Sequence, residues 1–357
     1  MRVTLLELKG FRNIQELYLE PDAGINIIYG ENAQGKTNIL EGLWLFSGLK
    51  SFRGAKDSEL INFNGDFAKL KTEFVTSHRS NKAEITVAPR RSAVLNGVRL
   101  ESCSGLIGKF GAVVFAPSFL SIIKDGPAER RKFIDSAICQ LKPRYASLLL
   151  EYNRLIKQRN SLLRDVTYDS ALLDMLDIID EKTCETGERI IAERSLYLET
   201  LKPFVCGIYS GLASGREEIS FEYIKKYDGG KNMLLSDIFR QNRKDDIINK
   251  TTSAGPHRDD MEIYINGISA RLYGSQGQQR SCALALKLGE ASVIKEQTGE
   301  QPAALLDDVM SELDANRQDY ILNHIKDWQV FITCCEPSSV LRMCSGKTLN
   351  ISKGRLI

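Results

Sequence analysis

The sequence predicts an α/β fold in which a mixed sheet with helices carries an inserted, mainly helical segment. Three observations predict it. An apolar strand over residues 25–29 runs into a glycine loop and an amphipathic helix, and a second apolar strand covers residues 303–307. Between these strands, residues 144–164 and 170–212 have helical periodicity and few helix breakers. Strands at both ends of a helical middle indicate one α/β body with an insertion.

The composition is that of a globular protein. The 357 residues carry 48 Lys and Arg against 46 Asp and Glu, a net charge of +2, with 43% hydrophobic residues. These values exclude a polycation and a disordered chain. No apolar run reaches the roughly 18 residues that a membrane span needs, and residues 1–12 lack a signal-peptide core, so we expect a cytoplasmic protein with no membrane partner. The eight cysteines are scattered, which predicts buried reduced thiols and no zinc site.

The remaining elements follow in chain order. Residues 69–100 have the pattern of strands, with Asn96-Gly97 as a hairpin turn. Strand-like sequence returns at residues 219–223 and 261–265, and the second of these runs into an Asn266-Gly267 turn. We therefore divide the chain into residues 1–118, a mainly helical arm over 119–249, and residues 250–357.

Residues 30–37 read G-E-N-A-Q-G-K-T and match the phosphate loop G-x-x-x-x-G-K-T in full. The two glycines let the backbone curl so that consecutive N–H groups and the following helix terminus face phosphates. In such a loop the lysine reaches the β and γ oxygens and the threonine binds Mg²⁺. The predicted nucleotide-binding residues here are Gly30, Glu31, Asn32, Ala33, Gln34, Gly35, Lys36, Thr37 and Asn38.

Two carboxylates end the apolar strand over residues 303–307. Phosphoryl transfer needs positioning and charge neutralisation more than covalent help. We therefore expect Asp307 to hold Mg²⁺ together with Thr37, and Asp308 to orient the attacking water. Lys36 and Asp308 are the predicted catalytic residues. The alternative is a solvated acidic turn after a strand.

A third segment, Tyr273 to Arg280, precedes a strongly amphipathic helix and is called the signature segment below. Ser275 and Gly277, with Gln278 beside them, lie at the predicted helix start, where a hydroxyl and backbone N–H groups can meet an anion. A plain capped loop explains this segment equally well from the residues alone.

A basic region lies between the two halves of the α/β body. Residues 124–165 contain ten Lys and Arg against five Asp and Glu. Neutralising phosphates gives affinity for DNA without sequence reading, and no base-reading motif is present. We expect Arg130, Arg131, Arg154 and Arg159 to lie in or near a DNA track. A solvated helical face is the alternative.

These motifs together resemble a known family. The chain is similar to the ATP-binding-cassette heads of the SMC-like DNA repair ATPases, and among them to the RecF family. The resemblance is carried by L-K-G-F-R-N at 8–13, the phosphate loop, G-P-A-E-R-R at 126–131, G-P-H-R-D-D at 255–260, the signature segment and L-L-D-D-V-M-S-E-L-D at 305–314. It implies an ABC-type P-loop head, with lobe I formed by residues 1–118 and 250–357 and lobe II by 119–249.

The resemblance also implies a function. ATP with Mg²⁺ would join two copies, with Ser275, Gly277 and Gln278 of one copy completing the site of the other and Arg12 approaching the phosphates. Such proteins are slow, DNA-stimulated ATPases that bind single- and double-stranded DNA at gaps. They act with RecR and RecO, help RecA to load, and support replication and SOS induction. Asp308 stands where most cassettes have Glu, and Thr333 and Cys334 stand where a switch histidine is usual.

Three other functions remain open from the sequence. A transporter-type cassette would place its signature closer to the phosphate loop and would need a membrane partner. A nucleotide kinase would share the phosphate loop but leave the signature segment without a role. A scaffold that binds ATP without hydrolysing it would differ only in phosphate release.

Overall fold

The computed structural model describes residues 1–169, 171–227, 233–342 and 345–357. Its strands are β1 (Arg2–Phe11), β2 (Ile14–Leu19), β3 (Ile25–Tyr29), β4 (Ala68–Val75), β5 (Ser80–Val87), β6 (Ser92–Leu95), β7 (Val98–Arg99), β8 (Ala112–Phe115), β9 (Ile219–Ile224), β10 (Asp260–Ile265), β11 (Ile268–Ser269), β12 (Ala303–Asp307), β13 (Val330–Cys334), β14 (Lys347–Ser352) and β15 (Arg355–Leu356). Its helices are α1 (Lys36–Leu45), α2 (Ser121–Lys124), α3 (Pro127–Leu141), α4 (Pro143–Asp165), α5 (Leu172–Leu212), α6 (Leu235–Asn249), α7 (Ala270–Tyr273), α8 (Gln276–Thr298), α9 (Ala315–His324) and α10 (Ser338–Leu341). The predicted α/β class is confirmed.

A parallel sheet forms the centre of the molecule. Its strand order is β15-β14-β3-β13-β12-β8, and only β15 runs antiparallel to its neighbour. The first four residues of β12 are fully buried, as expected for a strand covered on both faces. Asp307 at the end of β12 is the register partner of Thr333 in β13. The carboxyl ends of β3, β12 and β13 therefore meet at one edge, where open α/β sheets bind ligands.

An antiparallel sheet with the order β2-β1-β4-β5-β6-β7 covers one face of the parallel sheet. Its inner side chains share one hydrophobic core with α1, β12 and β13. Its outer face carries cross-strand ion pairs, such as Lys9 with Glu16 and Lys69 with Glu84. The predicted turn joins β6 to β7, and Asn96 and Gly97 both have positive φ, as a two-residue hairpin requires.

Helix α8 and the arm cover the other face of the parallel sheet. A second core joins α8 to β12, β13, α3, α5 and the small sheet β11-β10-β9. The predicted helices of the arm and the predicted strands at residues 219–223 and 261–265 are confirmed, with α5 running through 41 residues. Ser170, the predicted first residue of that helix, is outside the described residues. The apolar spacing over residues 37–49 predicts that the helix after the glycine loop reaches Leu49, but α1 ends at Leu45, where the N–H groups of residues 46–48 bond the carbonyl oxygens of residues 43–45.

The cysteines are free thiols throughout the described part of the chain. Five are buried and Cys206 is half-buried, whereas Cys335 is exposed, so the expectation of burial is wrong for Cys335. Cys344 lies outside the described residues. Among the helices that the structure describes, none combines the length and apolar character needed to cross a bilayer.

Candidate nucleotide-binding site

The glycine loop needs its two glycines for close backbone approach. Gly30, directly after β3, has φ 153°, and a Cβ there would lie 2.3 Å from the Ile351 carbonyl oxygen. Gly35 has φ 107° at the start of α1, where a Cβ would lie 2.7 Å from Asn13 Oδ1. At Gly30 the neighbouring backbone leaves no room for a Cβ, and at Gly35 the positive φ would strain any other residue. The loop therefore curls tightly between β3 and the N-terminus of α1.

Lys36 and Thr37 open α1 beneath this loop. The Lys36 ammonium donates to the carbonyl oxygens of Gly30 and Glu31 at 2.6 and 2.9 Å. The lysine side chain thus links the start of α1 to the first two residues of the loop. The free N–H groups at the N-terminus of a helix favour anions. The arrangement thus presents an ammonium, backbone donors and a helix terminus at one place.

The acid at the end of β12 faces Thr37. The Thr37 hydroxyl donates to Asp307 Oδ1 at 2.8 Å, and the Thr333 hydroxyl donates to the same oxygen at 2.9 Å. Burial raises the pKa of Asp307 above its usual value, while the two hydroxyl groups oppose that shift. Asp308, the next residue, has a left-handed backbone with φ 53°.

One cavity of about 310 Å³ brings these parts together. Asp307 and Asp308 line it together with the glycine loop, and Arg53 and Thr333 complete the wall. The loop residues on its wall are Asn32, Ala33, Gln34, Gly35, Lys36, Thr37 and Asn38. The sequence pattern did not predict Arg53, and it placed Thr333 only at the position of the usual switch histidine. Arg53 donates to Asn38 Oδ1 at 3.0 Å and follows α1 by several residues, so only the folded chain brings it to the loop.

The oxygen atoms of Thr37 and Asp307 fit Mg²⁺, a hard cation that prefers oxygen ligands and usually takes the others from water and substrate phosphates. Within the described residues, no group of three or more His, Cys, Asp or Glu could hold a metal ion alone. A magnesium ion held by Thr37 and Asp307 would take its remaining ligands from water and from the phosphates of a bound nucleotide.

Arg12 lies beside the loop in a second cavity of about 700 Å³, which shares Ala33, Asn38 and Arg53 with the first. Its guanidinium group makes a two-pronged pair with the fully buried Glu41, with both distances 2.9 Å. It also donates to the Glu59 carbonyl oxygen. The residue expected to approach phosphates is thus held firmly against the side of the site.

The signature segment lies apart from the residues lining the phosphate-loop cavity, none of which comes from it among the described residues. Ser275 is exposed and caps α8, with its hydroxyl accepting from the Gln278 N–H at 3.2 Å. The Gln278 side chain accepts from the Ser275 N–H in return and donates to Glu217 at 2.9 Å. The serine thus stands on a capped, solvent-facing helix tip.

Arg317 joins this tip to the loop that follows β12. Its guanidinium donates to the Gly277 carbonyl oxygen at 3.0 Å and to Ser281 Oγ at 2.9 Å, and it pairs with Asp314. A Cβ on Gly277 would lie 3.1 Å from this guanidinium, which is a tight contact. The sequence pattern did not predict this contact.

The structure contradicts the expectation that Arg130 and Arg159 lie in a DNA track. Arg130 is 2% exposed and Arg159 is fully buried. Arg130 makes a two-pronged pair with Asp260, and Arg159 pairs with Asp180 and Asp246, each at 2.6 Å. Together with the Arg194–Asp135 pair, these contacts form what we call the arginine hub. Guanidinium groups enclosed by carboxylates cannot reach a phosphate backbone.

The other two arginines differ from those of the hub. Arg131 is half-buried and donates to the Asp259 carbonyl oxygen at 2.7 Å. Arg154 is exposed on α4. Lys157 and Arg164 are exposed on the same side of this helix, opposite the buried Tyr152 and Leu155. Of the four predicted DNA contacts, Arg154 alone is fully available to a ligand.

Known proteins share this fold and these motifs. The family described as an AAA domain matches residues 5–251. The DNA replication and repair protein RecF of Agathobacter rectalis is 40% identical over 336 residues, which cover 94% of this chain and 92% of that protein. A solved structure of the recombination mediator protein RecF with ATPrS in the RecFOR pathway has a TM-score of 0.92 at 36% identity, covering 99% of this chain and 97% of that one.

The Smc head domain of Pyrococcus furiosus, solved with an extended coiled coil, has a TM-score of 0.56 and 17% identity, covering 100% of this chain and 96% of that one. This likeness bears on the fold alone and, with the RecF structure, identifies an ABC-type P-loop ATPase fold. The identity and coverage of the relatives go further, because they extend along nearly the whole chain. The chain belongs to the RecF family of DNA replication and repair proteins.

Proposed function

We propose that this chain is a slow, DNA-stimulated ATPase that self-associates when ATP is bound and acts at gapped DNA in recombinational repair. The observation that carries the proposal is the single cavity lined by the phosphate loop and by both aspartates. Lobe I, residues 1–118 and 250–357, would hold ATP, and lobe II, residues 119–249, would engage DNA.

The residues of the cavity have distinct roles in this proposal. Lys36 and the loop N–H groups bind the β and γ phosphates, and Asp308 orients the attacking water. Thr37 and Asp307 would hold Mg²⁺, which neutralises charge on the phosphate oxygens when it is bound. Asp308 carries a side chain one methylene shorter than glutamate, which fits slow turnover.

The position of Ser275 supports self-association. It is exposed on a helix tip and lines no part of the cavity that its own phosphate loop forms in the described structure. A serine so placed can meet a γ-phosphate only when a second copy supplies the nucleotide. ATP would then favour the dimer because it makes contacts across the interface that the monomer lacks.

Sedimentation with ATP tests this scheme. Asp308→Asn should bind ATP, hydrolyse it far more slowly than wild type and accumulate as a dimer, whereas Lys36→Met should neither bind ATP nor dimerise. Asp319→Asn, an exposed acid on α9, is the matched control and should behave as wild type. An Asp308→Asn protein that binds ATP but stays monomeric would defeat the scheme. Phosphate release measured with and without gapped duplex separates an ATPase from a scaffold that does not hydrolyse ATP.

For DNA contact we propose the exposed face of α4 that carries Arg154, Lys157 and Arg164. Each Lys or Arg that neutralises a phosphate adds about 0.9 to the slope of log affinity against log salt. Arg154→Glu with Lys157→Glu should therefore reduce that slope by about 2 for any DNA sequence. Lys109→Glu with Lys326→Glu changes the net charge equally at exposed positions outside the arm and should leave the slope unchanged. Equal slopes for the two double variants would remove α4 from the DNA track.

The partners follow from the relatives. The RecF structure with ATPrS is described within the RecFOR pathway. We propose that this chain likewise acts with RecR and RecO to promote RecA loading, and that replication maintenance and SOS induction depend on the same activity. Loading of RecA onto gapped DNA, reconstituted with and without this chain, tests the proposal.

A further inference from the structure

The backbone of Asp308 is held in an unfavourable conformation. Its φ of 53° lies in the left-handed region, which residues other than glycine adopt only at a cost. Two side chains hold the residue there. The Ser311 hydroxyl donates to the Asp308 carbonyl oxygen at 2.8 Å, and the Asp308 N–H donates to Thr333 Oγ1 at 2.9 Å.

Of these two side chains, Thr333 contacts both aspartates. Its hydroxyl accepts from the Asp308 N–H and donates its one proton to Asp307 Oδ1 at 2.9 Å. Thr333 is 1% exposed, and β13 holds it in register beside Asp307. One oxygen atom from a neighbouring strand thus fixes the side chain of the first aspartate and the backbone of the second.

The directions of the two Thr333 hydrogen bonds exclude most other residues at this position. The oxygen must donate to a carboxylate and accept from an N–H at the same time, which hydroxyl groups can do and methyl groups cannot. Valine has nearly the shape of threonine but offers neither bond. Serine keeps both. The chain therefore contains an atom whose chemistry, and not only whose volume, sets where the Asp308 carboxylate points.

We propose that Thr333 is a positioning residue for ATP hydrolysis, which orients Asp308 toward the attacking water by pinning its left-handed backbone to Asp307. This inference rests on the proposed ATPase function and adds a residue from β13 to its machinery. Thr333 does not touch the reacting atoms in this scheme and acts on catalysis only through Asp308, whose backbone it ties to Asp307.

Single-site kinetics test the inference. Thr333→Val should lower kcat for ATP hydrolysis about tenfold to a hundredfold, because small displacements of a catalytic group have effects of this size. The KM for ATP and the calorimetric affinity for ATP should stay within about twofold, since Lys36 and the loop N–H groups remain. Thr333→Ser should recover most of the kcat. If the valine variant melts below the assay temperature, Thr333→Ala, which also lacks the hydroxyl, replaces it.

A double variant locates the effect. In an Asp308→Asn background, Thr333→Val should lower the residual kcat no further, because the carboxylate that it positions is already absent. Wild-type kcat in folded Thr333→Val, an equal loss in Thr333→Ser, or a full additional loss in the Asp308→Asn background would each overturn the inference. A wild-type protein that releases no phosphate would instead overturn the proposed ATPase function itself.

Discussion

The phosphate-loop cavity and the arginine hub use the same kinds of charged residue in opposite ways. In the cavity, Lys36, Asp307 and Asp308 line an open space, and their partners within the chain leave room for a ligand. In the hub, Arg130, Arg159 and Arg194 face carboxylates of this chain and are almost wholly buried. Charged side chains that face an open cavity are available to bind a ligand. Charged side chains that are paired with one another in the interior stabilise the fold.

The hub holds together parts of the arm that are distant in the chain. Arg159 on α4 contacts Asp180 on α5 and Asp246 on α6, and its guanidinium lies 4.3 Å from the centre of the Phe239 ring. Arg130 on α3 pairs with Asp260 at the start of β10. Arg130 and Arg159 of the basic segment thus join four helices and a strand of this chain.

The largest expected effect separates the two regions. Arg159→Met leaves the buried carboxylate of Asp246 without its cation and removes a partner of the partly buried Asp180, so it should lower the free energy of unfolding by about 3–5 kcal/mol. The ATP affinity of the folded fraction should not change. Lys36→Met should do the reverse, abolishing ATP binding at a smaller cost in stability. Urea unfolding and ATP calorimetry on both variants measure the two effects.

Arg154→Met is the matched control, because it removes an exposed arginine from the same helix. Its unfolding free energy should stay within about 0.5 kcal/mol of wild type. If Arg159→Met unfolds no more easily than Arg154→Met, the hub does not stabilise the arm and the contrast with the cavity fails.

The second effect uses pH. His257, next to the hub, has its pKa lowered from 6.5 to about 4, chiefly by burial, and the nearby Arg258, Arg131 and Arg159 act in the same direction. Its Nδ1 lies 2.8 Å from the Tyr152 hydroxyl and its Nε2 lies 3.2 Å from the Thr252 carbonyl oxygen. This pattern suits a neutral ring that accepts at Nδ1 and donates at Nε2.

Because the folded state binds the proton less tightly than the unfolded state, stability is complete above pH 6.5 and falls as the pH drops toward 4. The loss reaches about 3 kcal/mol at most. His257→Gln should remove this part of the pH dependence, and His78→Gln, at an exposed histidine, should not. Urea unfolding between pH 7.5 and 4.5 compares the two variants, and parallel curves for both would exclude His257 as the source.

Much of the fold and the centre of the site could be predicted from the sequence. The phosphate loop and the Asp307–Asp308 pair are local patterns, and parallel strands bring such patterns to one edge without further information. The long helices of the arm are equally local. The loop that places Arg53 beside Asn38, and the register that sets Thr333 beside Asp307, depend on contacts between distant segments and leave no pattern.

The DNA-track prediction is wrong for Arg130 and Arg159 for a different reason, since the sequence did contain the relevant signal for Arg159. Arg159 falls at helical spacing from Tyr152, Leu155 and Leu163, all of which are buried, whereas Arg154 falls on the opposite side. The excess of Lys and Arg along residues 124–165 does not show on which side of the helix each of these residues lies. A basic helix should be divided by face before any of its residues is assigned to a ligand.

The smallest expected effect concerns Arg317, which belongs neither to the phosphate-loop cavity nor to the arginine hub. Its bonds to Gly277, Ser281 and Asp314 are internal, yet they hold the exposed tip that carries Ser275. Arg317→Lys keeps the charge but loses the planar fork, so it should cost about 1 kcal/mol of stability, near the value of one lost hydrogen bond.

ATP-driven self-association should weaken by about tenfold for Arg317→Lys, the equivalent of about 1.4 kcal/mol, because the tip no longer meets the partner in one fixed orientation. ATP binding by the monomer should be unaffected, since Arg317 lines no part of the phosphate-loop cavity in the described structure. Arg271→Lys, at an exposed arginine on α7, is the control. Sedimentation with ATP that finds both variants equal to wild type would mean that the tip holds its orientation without Arg317. The internal bonds of Arg317 would then serve the fold alone, as those of the hub do.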